Sequence, residues 1–583
     1  MPTLRVALAQ TNPTVADIDT NVAQIIDAAR SAVASGADLL LTGELAVTGY
    51  PVEDLALRDD FLERSSQAPS DLAQSLESSG LGNLIVVVGH PAGPVEPGPL
   101  AVGNLHPARA RNQLSVLQHG VVHGAYAKRH LPNYGVFDEF RTFVPGDSTL
   151  ILQVNGVDCG LLICEDLWRD EGPVDDLRRL GVGAVLVANA SPFERDKDDL
   201  RIPLVTRRAH EWGAPVVYVN LVGGQDDLVF DGDSVVVTAR GELVTRLPQF
   251  TPHLSVLDLD VEASVNEELP PGVSRLVLTT PATSRPPLDP PAVNTPTDDL
   301  QVLWMALVTG LRDYVVKNGF PGVLLGLSGG IDSAVCATLA VDALGPEAVT
   351  GISLPSRYSS EHSLDDARLL AENLGIHYRV EPISDIVSVL DNQLGLSGLA
   401  AENSQARTRG MILMSVSNME GQLVLTTGNK SELAVGYSTI YGDSVGGFAP
   451  IKDVPKTLVW DLARWRNQHA HERGETPPIP VNSIEKPPSA ELRPGQVDQD
   501  SLPDYAVLDA ILDLLIVRGL DAPQIVARGY DQETVSRIVS LVDRAEWKRR
   551  QGAIGPRISS VAFGRDRRFP ISHRKPAQSP RLG

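Results

Sequence analysis

Cys164 follows an apolar run at residues 156–163 and is followed at once by Glu165, Asp166, Leu167 and Trp168. A cysteine at the tip of a buried strand, beside two acids, is unlike a structural core cysteine. A nearby carboxylate and ammonium would supply the base and the positive charge that a nucleophilic thiol needs. Glu44, just past the apolar run at residues 38–41, and Lys128, in Tyr126-Ala127-Lys128-Arg129-His130-Leu131-Pro132-Asn133-Tyr134, are groups of those types. Taken one at a time they also suit a loop acid, a surface lysine and a small buried hydrophobe.

A second chemistry is carried by Gly326-Leu327-Ser328-Gly329-Gly330-Ile331-Asp332-Ser333, between the apolar Val323-Leu324-Leu325 and a helical run at residues 334–340. A strand, a glycine turn and a helix start form an anion site: glycines leave room for a phosphate, serines donate hydrogen bonds, and first-turn amides add positive charge. Asp332 would repel a phosphate unless a divalent cation lay between them, which marks it as a Mg²⁺ ligand, with a helix-capping carboxylate as the alternative. The spacing matches neither the Walker lysine loop nor the dinucleotide fingerprint. Further along, Thr427-Gly428-Asn429-Lys430-Ser431-Glu432 ends another apolar run and again brings hydroxyl, amide and carboxylate to a strand tip. Lys452 and Lys456 follow, suited to offsetting phosphate charge, with ordinary surface charges as the alternative. Arg407 and Arg409 are separated by one residue, so they cannot share a helix face and are expected to serve different partners.

These groups need elements to hold them. Residues 5–260 alternate short strands with helices: a strand at 5–9, a helix at 21–35, and strands at 38–41, 121–123 and 156–163. The stretch at 279–299 is proline-dense and reads as a stiff connector between two domains. Beyond it come a helix at 300–317, strands at 349–355, 377–380 and 423–426, and a helix at 361–374 stopped by Gly375. This alternation predicts a parallel doubly wound sheet with ligands at the carboxyl ends of its strands. A chain of 583 residues is expected to hold two or more domains. With 73 acidic against 50 basic side chains it would repel a nucleic acid backbone, so nucleic acid is excluded as a partner. Three cysteines without metal-type spacing point to a reducing compartment, and no apolar run is long enough to span a bilayer. A cytoplasmic, soluble protein is expected. The basic segment Phe563-Gly564-Arg565-Asp566-Arg567-Arg568-Phe569-Pro570 stands out in an acidic chain.

Together, Glu44, Lys128 and Cys164 in their local strings resemble the catalytic triad of the nitrilase-like amidases. The strings are Gly43-Glu44-Leu45 with Thr48-Gly49-Tyr50-Pro51, residues 128–134 with Phe137-Asp138-Glu139, Ile163-Cys164-Glu165-Asp166, and Asn189-Ala190-Ser191-Pro192-Phe193. The resemblance implies an α-β-β-α sandwich in which Glu44 is general base, Lys128 stabilises the oxyanion and Cys164 forms a thioester. It also implies that Tyr134, Ser191 and Lys197 hold glutamine, with Glu139 an additional acid near the triad.

The loop at 326–333 resembles that of the N-type ATP pyrophosphatases. Residues 427–432, Tyr441-Gly442-Asp443 and Pro488-Ser489-Ala490-Glu491-Leu492 narrow the likeness to the NAD synthetases. Ile440 stands where ammonia-using members carry lysine, which agrees with the glutamine-dependent branch. That likeness implies ATP contacts at Gly326, Leu327, Ser328, Gly329, Gly330, Ile331, Asp332, Ser333, Thr427, Lys456 and Ser489. It implies Mg²⁺ on Asp332 and Glu432, and deamido-NAD contacts at Asn403, Arg407, Glu432 and Lys548. The domains implied are a glutaminase at 1–262, a linker at 263–299 and a synthetase at 300–583. L-Glutamine, ATP and deamido-NAD are the expected substrates, with an internal passage for ammonia and a homo-oligomeric assembly.

Overall fold

A computed structural model of the chain describes residues 3–96, 108–195, 198–263, 268–281, 285, 287–295, 298–489, 491–493 and 495–572. It divides into two compact units, residues 1–225 with 229–296, and residues 226–228 with 297–583.

Among its described residues, the first unit is built on fifteen strands: β1 (Thr3–Gln10), β2 (Leu39–Thr42), β3 (Ile85–Ala92), β4 (Arg111–Gln118), β5 (Val121–Ala127), β6 (Thr149–Val154), β7 (Val157–Ile163), β8 (Ala184–Asn189), β9 (Val216–Asn220), β10 (Val222–Gln225), β11 (Leu228–Asp231), β12 (Val235–Val237), β13 (Leu243–Arg246), β14 (His253–Asp260) and β15 (Val273–Leu278). One sheet runs β14-β1-β2-β3-β4-β5, the other β13-β12-β9-β8-β7-β6-β15, and β10 pairs with β11. Alternation along the strands decides what each face buries. Leu4, Val6 and Leu8 of β1 pack in one core with Leu161 and Ile163 of β7, so the two sheets face each other. Leu162, on the opposite face of β7, packs with Val174 and Leu177 of the helix Pro173–Leu180 and with Val205 of the helix Asp198–Trp212. A Cβ on Gly160 would lie 2.6 Å from Leu177 Cδ1, so this glycine lets the helix approach the sheet. Helices Ile18–Ala34 and Asp59–Ser78 pack against the other sheet, completing the expected α-β-β-α sandwich.

Parallel pairing levels the carboxyl ends of β7, β8 and β9, with Ile163 opposite Ala188 and Asn189 opposite Asn220. Cys164 and Ser191 therefore leave the sheet at one edge. The segment expected as a linker at 263–299 is not connector throughout: β15 lies within it and pairs in parallel with β6. Val273, Leu276 and Leu278 supply the apolar residues that a strand needs, and Pro270, Pro271 and Pro281 flank the strand without entering it.

The second unit carries β16 (Val323–Gly326), β17 (Val349–Ser353), β18 (His377–Val380) and β19 (Leu423–Val424), all parallel, in the order β18-β17-β16-β19. Its core joins Leu324, Ile352 and Val424 of the strands to Val387, Leu413 and Val416 of flanking helices, as a doubly wound α/β sheet requires. The helix Glu361–Leu374 starts with the Ser360 hydroxyl accepting from the Ser363 amide, and stops at left-handed Gly375. Among the described residues, no helix is long and apolar enough to cross a membrane.

Candidate active sites

In the first unit, three strand ends carry the residues of the candidate site. Glu44 follows β2, Lys128 follows β5 and Cys164 follows β7. Lys128 Nζ donates to Glu44 Oε1 at 2.7 Å and to Glu139 Oε1 at 2.8 Å. All three side chains are buried. Burial works against the ammonium, but Glu139, Glu44 and then Cys164 outweigh it and hold Lys128 well above the usual lysine range. Burial pushes the Glu139 carboxyl up to about 7, with Lys128 opposing and Glu44 adding. Glu44 is fixed from three further sides: Asn112 Nδ2 donates to Oε1 at 2.7 Å, the Ala190 amide donates to Oε2 at 3.0 Å, and its own amide donates to the Asn189 carbonyl at 3.2 Å. The Tyr50 hydroxyl donates to Glu139 Oε1 at 2.9 Å. A lysine with three hydrogens and two carboxylate partners keeps one hydrogen for a substrate oxygen.

Cys164 sits at φ +42°, a left-handed conformation costly for a residue with a Cβ. The two acids after it have separate work. Asp166 accepts from the Tyr126 hydroxyl and from the amides of Arg129, His130 and Ile163, locking the strand tips together. Glu165 accepts from the Tyr134 hydroxyl at 2.7 Å and from Arg169 Nε at 2.9 Å. Ser191 is buried and held by Asn220, whose Oδ1 accepts from the Ser191 amide at 2.8 Å. Lys197 lies outside the described residues.

In the second unit, a cavity of about 510 Å³ opens at the carboxyl ends of the parallel strands. Gly326, Leu327, Ser328, Gly330, Ile331, Asp332, Ser333, Thr427, Glu432, Lys456, Ser489, Asn403 and Lys548 all line it. Gly329, at φ +73°, turns away toward the Ser363 carbonyl, which a Cβ there would approach to 2.3 Å. The Ser328 and Ser333 hydroxyls lie 3.2 Å apart over the start of the helix Ile331–Leu344. Lys456 Nζ pairs with Asp332 Oδ2 and lies 3.4 Å from Glu432 Oε1. Asn429 joins the two acidic loops, its Nδ2 donating to Asp332 Oδ1 at 3.0 Å and its Oδ1 accepting from the Glu432 amide. Burial pushes Glu432 up to about 8, against Lys456, with Asp332 adding to the rise. Asp332 and Glu432 bring carboxyl oxygens, donors of the kind a divalent cation takes, to the loop at 326–333, with Lys456 between them.

Arg407 is not gathered into the cavity. It is exposed, and its Nε donates to the Ile440 carbonyl at 3.2 Å. Arg409 lines the cavity instead. Sequence reasoning also missed Asn112 and the pairing of Tyr134 with Glu165. Asn112 lies in a strand with no local signal, whereas Glu165 adjoins the cysteine and was legible as a neighbour.

A carbon-nitrogen hydrolase joined in one chain to an NAD synthase is the class that fold and sites define. The family model described as carbon-nitrogen hydrolase matches residues 5–265, and that described as NAD synthase matches residues 303–552. The chain is 42% identical to the glutamine-dependent NAD(+) synthetase of Acinetobacter baylyi, covering 98% of both chains. It is likewise 42% identical to that of Thermotoga maritima, covering 98% of this chain and 99% of the other. The solved structure of the Acinetobacter baumannii glutamine-dependent NAD+ synthetase with ADP is similar at TM-score 0.71 and 40% identity, covering 98% of each chain. The chain belongs to the glutamine-dependent NAD(+) synthetase family.

Proposed function

We propose that this chain converts deamido-NAD to NAD with ATP and the amide nitrogen of L-glutamine, releasing AMP, pyrophosphate and L-glutamate. The observation that carries this reading is Lys128 Nζ held between Glu44 and Glu139 beside Cys164, in one chain with a nucleotide cavity of the synthetase type. In the first unit Glu44 takes the thiol proton as Cys164 Sγ attacks the glutamine amide carbon. The third Lys128 hydrogen receives the oxyanion. Collapse expels ammonia, which carries away the proton held by Glu44, and leaves a thioester. Glu44 then draws a proton from water, whose oxygen releases glutamate and regenerates the thiol. Tyr134, Ser191 and Lys197 hold the glutamine.

In the second unit the loop at 326–333, Thr427, Lys456 and Ser489 hold ATP, while Asn403, Glu432 and Lys548 face deamido-NAD. The nicotinate carboxylate attacks the α-phosphorus and pyrophosphate leaves; ammonia then attacks the acyl carbon and AMP departs. Asp332 and Glu432 would hold Mg²⁺, which when bound offsets the triphosphate charge. The reading includes a glutaminase domain from residue 1 into the connector at 263–299, a synthetase domain from 300, a homo-oligomeric assembly and a cytoplasmic setting. The odd count of three cysteines suits that setting.

Incubation of the full chain with glutamine, ATP, Mg²⁺ and deamido-NAD is expected to yield NAD, AMP, pyrophosphate and glutamate in equal amounts. Turnover of another carboxylate-bearing nucleotide, with none of deamido-NAD, would contradict it.

A further inference from the structure

Among the described cationic side chains that line the nucleotide cavity, Arg409 and Lys548 have no carboxylate partner, and Arg409 is the one that also has both Nη groups to offer. Lys456 is paired with Asp332 and Glu432, and Lys486 with Asp366 at 3.0 Å. Lys548 gives two of its hydrogens to the carbonyls of Gly436 and Ser438, at 2.8 and 2.7 Å. Arg409 gives its Nε hydrogen to the Leu354 carbonyl at 3.0 Å, and no described residue takes its Nη hydrogens. The neighbouring acids are engaged elsewhere. Glu491 accepts from the hydroxyls of Ser360 and Ser363, and Asp443 Oδ1 from the Thr439 amide at 2.7 Å. Burial accordingly lowers the Arg409 guanidinium to about 10, with Glu491 and Asp443 only partly offsetting it.

Helix geometry explains why this arginine and not its neighbour faces inward. Leu399, Glu402, Asn403, Ala406, Arg409 and Leu413 of the helix Leu399–Glu420 all line the cavity, and their steps of three and four residues mark one helical face. Arg407 falls on the other side. A half-buried guanidinium without a carboxylate, facing a cavity, is suited to receive an anion. Its planar fork matches phosphate oxygens, and the bond to Leu354 fixes its orientation in advance.

We propose that the Arg409 guanidinium holds a phosphate oxygen of a nucleotide substrate in this cavity. The inference rests on the synthetase reading above and deepens it. Two sources carry that chemistry, the triphosphate of ATP and the pyrophosphate of the dinucleotide acceptor, and kinetics separate them.

The test uses full-length R409Q and R409K with ammonium as nitrogen donor, varying ATP and then deamido-NAD at saturating partner. Loss of a charge-assisted contact is expected to raise one KM about 10- to 100-fold in R409Q. The affected substrate names the source, and R409K is expected to restore part of the loss. The thermal midpoint without nucleotide should stay at the parent value while the shift produced by that nucleotide shrinks, which a merely structural role would not give. Both KM values within two-fold of the parent would overturn the assignment, as would a lowered unliganded midpoint with unchanged KM values. If R409Q fails to fold, R409K decides by the same two KM values, because lysine cannot hold the Leu354 carbonyl and present a fork together. Failure of the synthetase reading is distinguishable, since the parent enzyme itself would then not turn over deamido-NAD.

Discussion

Glu139→Gln isolates the electrostatics of the buried glutaminase site. The carboxyl is buried, accepts from Lys128 Nζ at 2.8 Å and from the Tyr50 hydroxyl at 2.9 Å, and is pushed from an ordinary 4.5 to about 7. Because its proton is held more tightly in the folded chain than in the unfolded one, stability is greatest below about pH 4.5 and is lost as the pH rises through about 7. At ~1.4 kcal/mol per pH unit the loss amounts to ~3 kcal/mol in order of magnitude. Glutamine keeps an oxygen for both donors and has no proton to lose. Denaturant unfolding of parent and variant, followed at pH 5 and pH 8.5, should give similar stabilities at the lower pH and a variant more stable by up to ~3 kcal/mol at the higher. The same substitution removes a negative charge that holds the Lys128 ammonium, so glutamine hydrolysis should fall while ammonia-driven synthesis persists. A stability difference equal at the two pH values would refute the argument, because it would mean that Glu139 does not titrate between them.

Asp332→Asn removes one of the two carboxylates around Lys456, and synthesis from both glutamine and ammonia is expected to fall at least ~100-fold, measured as AMP release across a Mg²⁺ titration; an unaltered AMP rate and Mg²⁺ dependence would take Asp332 out of the metal role. Gly329→Ala places a Cβ 2.3 Å from the Ser363 carbonyl at a φ of +73°, so the loop must shift. Its cost should exceed ~1 kcal/mol in the second unit and appear as a raised KM for ATP, with the glutaminase rate unchanged; normal ATP kinetics would show that the loop tolerates the shift.

Local strings made the strand tips legible. Glu44 and Cys164 each follow an apolar run, Lys128 lies in a string after a short strand-like one, and in the structure each falls within two residues of a strand end. Their convergence was not legible from spacing alone: Glu44 and Lys128 are 84 residues apart, and sheet register brings them to 2.7 Å. Helix 361–374 was bounded correctly because it carries its own stop at Gly375. The helix Leu399–Glu420 shows the opposite case. Polar and apolar residues are spread around it, so the sequence could say that Arg407 and Arg409 face apart but not which one meets the cavity. β15 was hidden by the prolines that follow it, and its place is fixed by pairing with β6, a partner distant in sequence.

The most direct measurement is the ratio of glutamine-driven to ammonia-driven NAD synthesis in Cys164→Ala. Removal of the thiol should reduce the glutamine rate to background while the ammonia rate, with ATP and deamido-NAD saturating, stays within about two-fold of the parent. Equal loss of both rates, or glutamine-driven synthesis that survives without the thiol, would contradict the assignment of nitrogen release to Cys164 and of nitrogen consumption to a separate site.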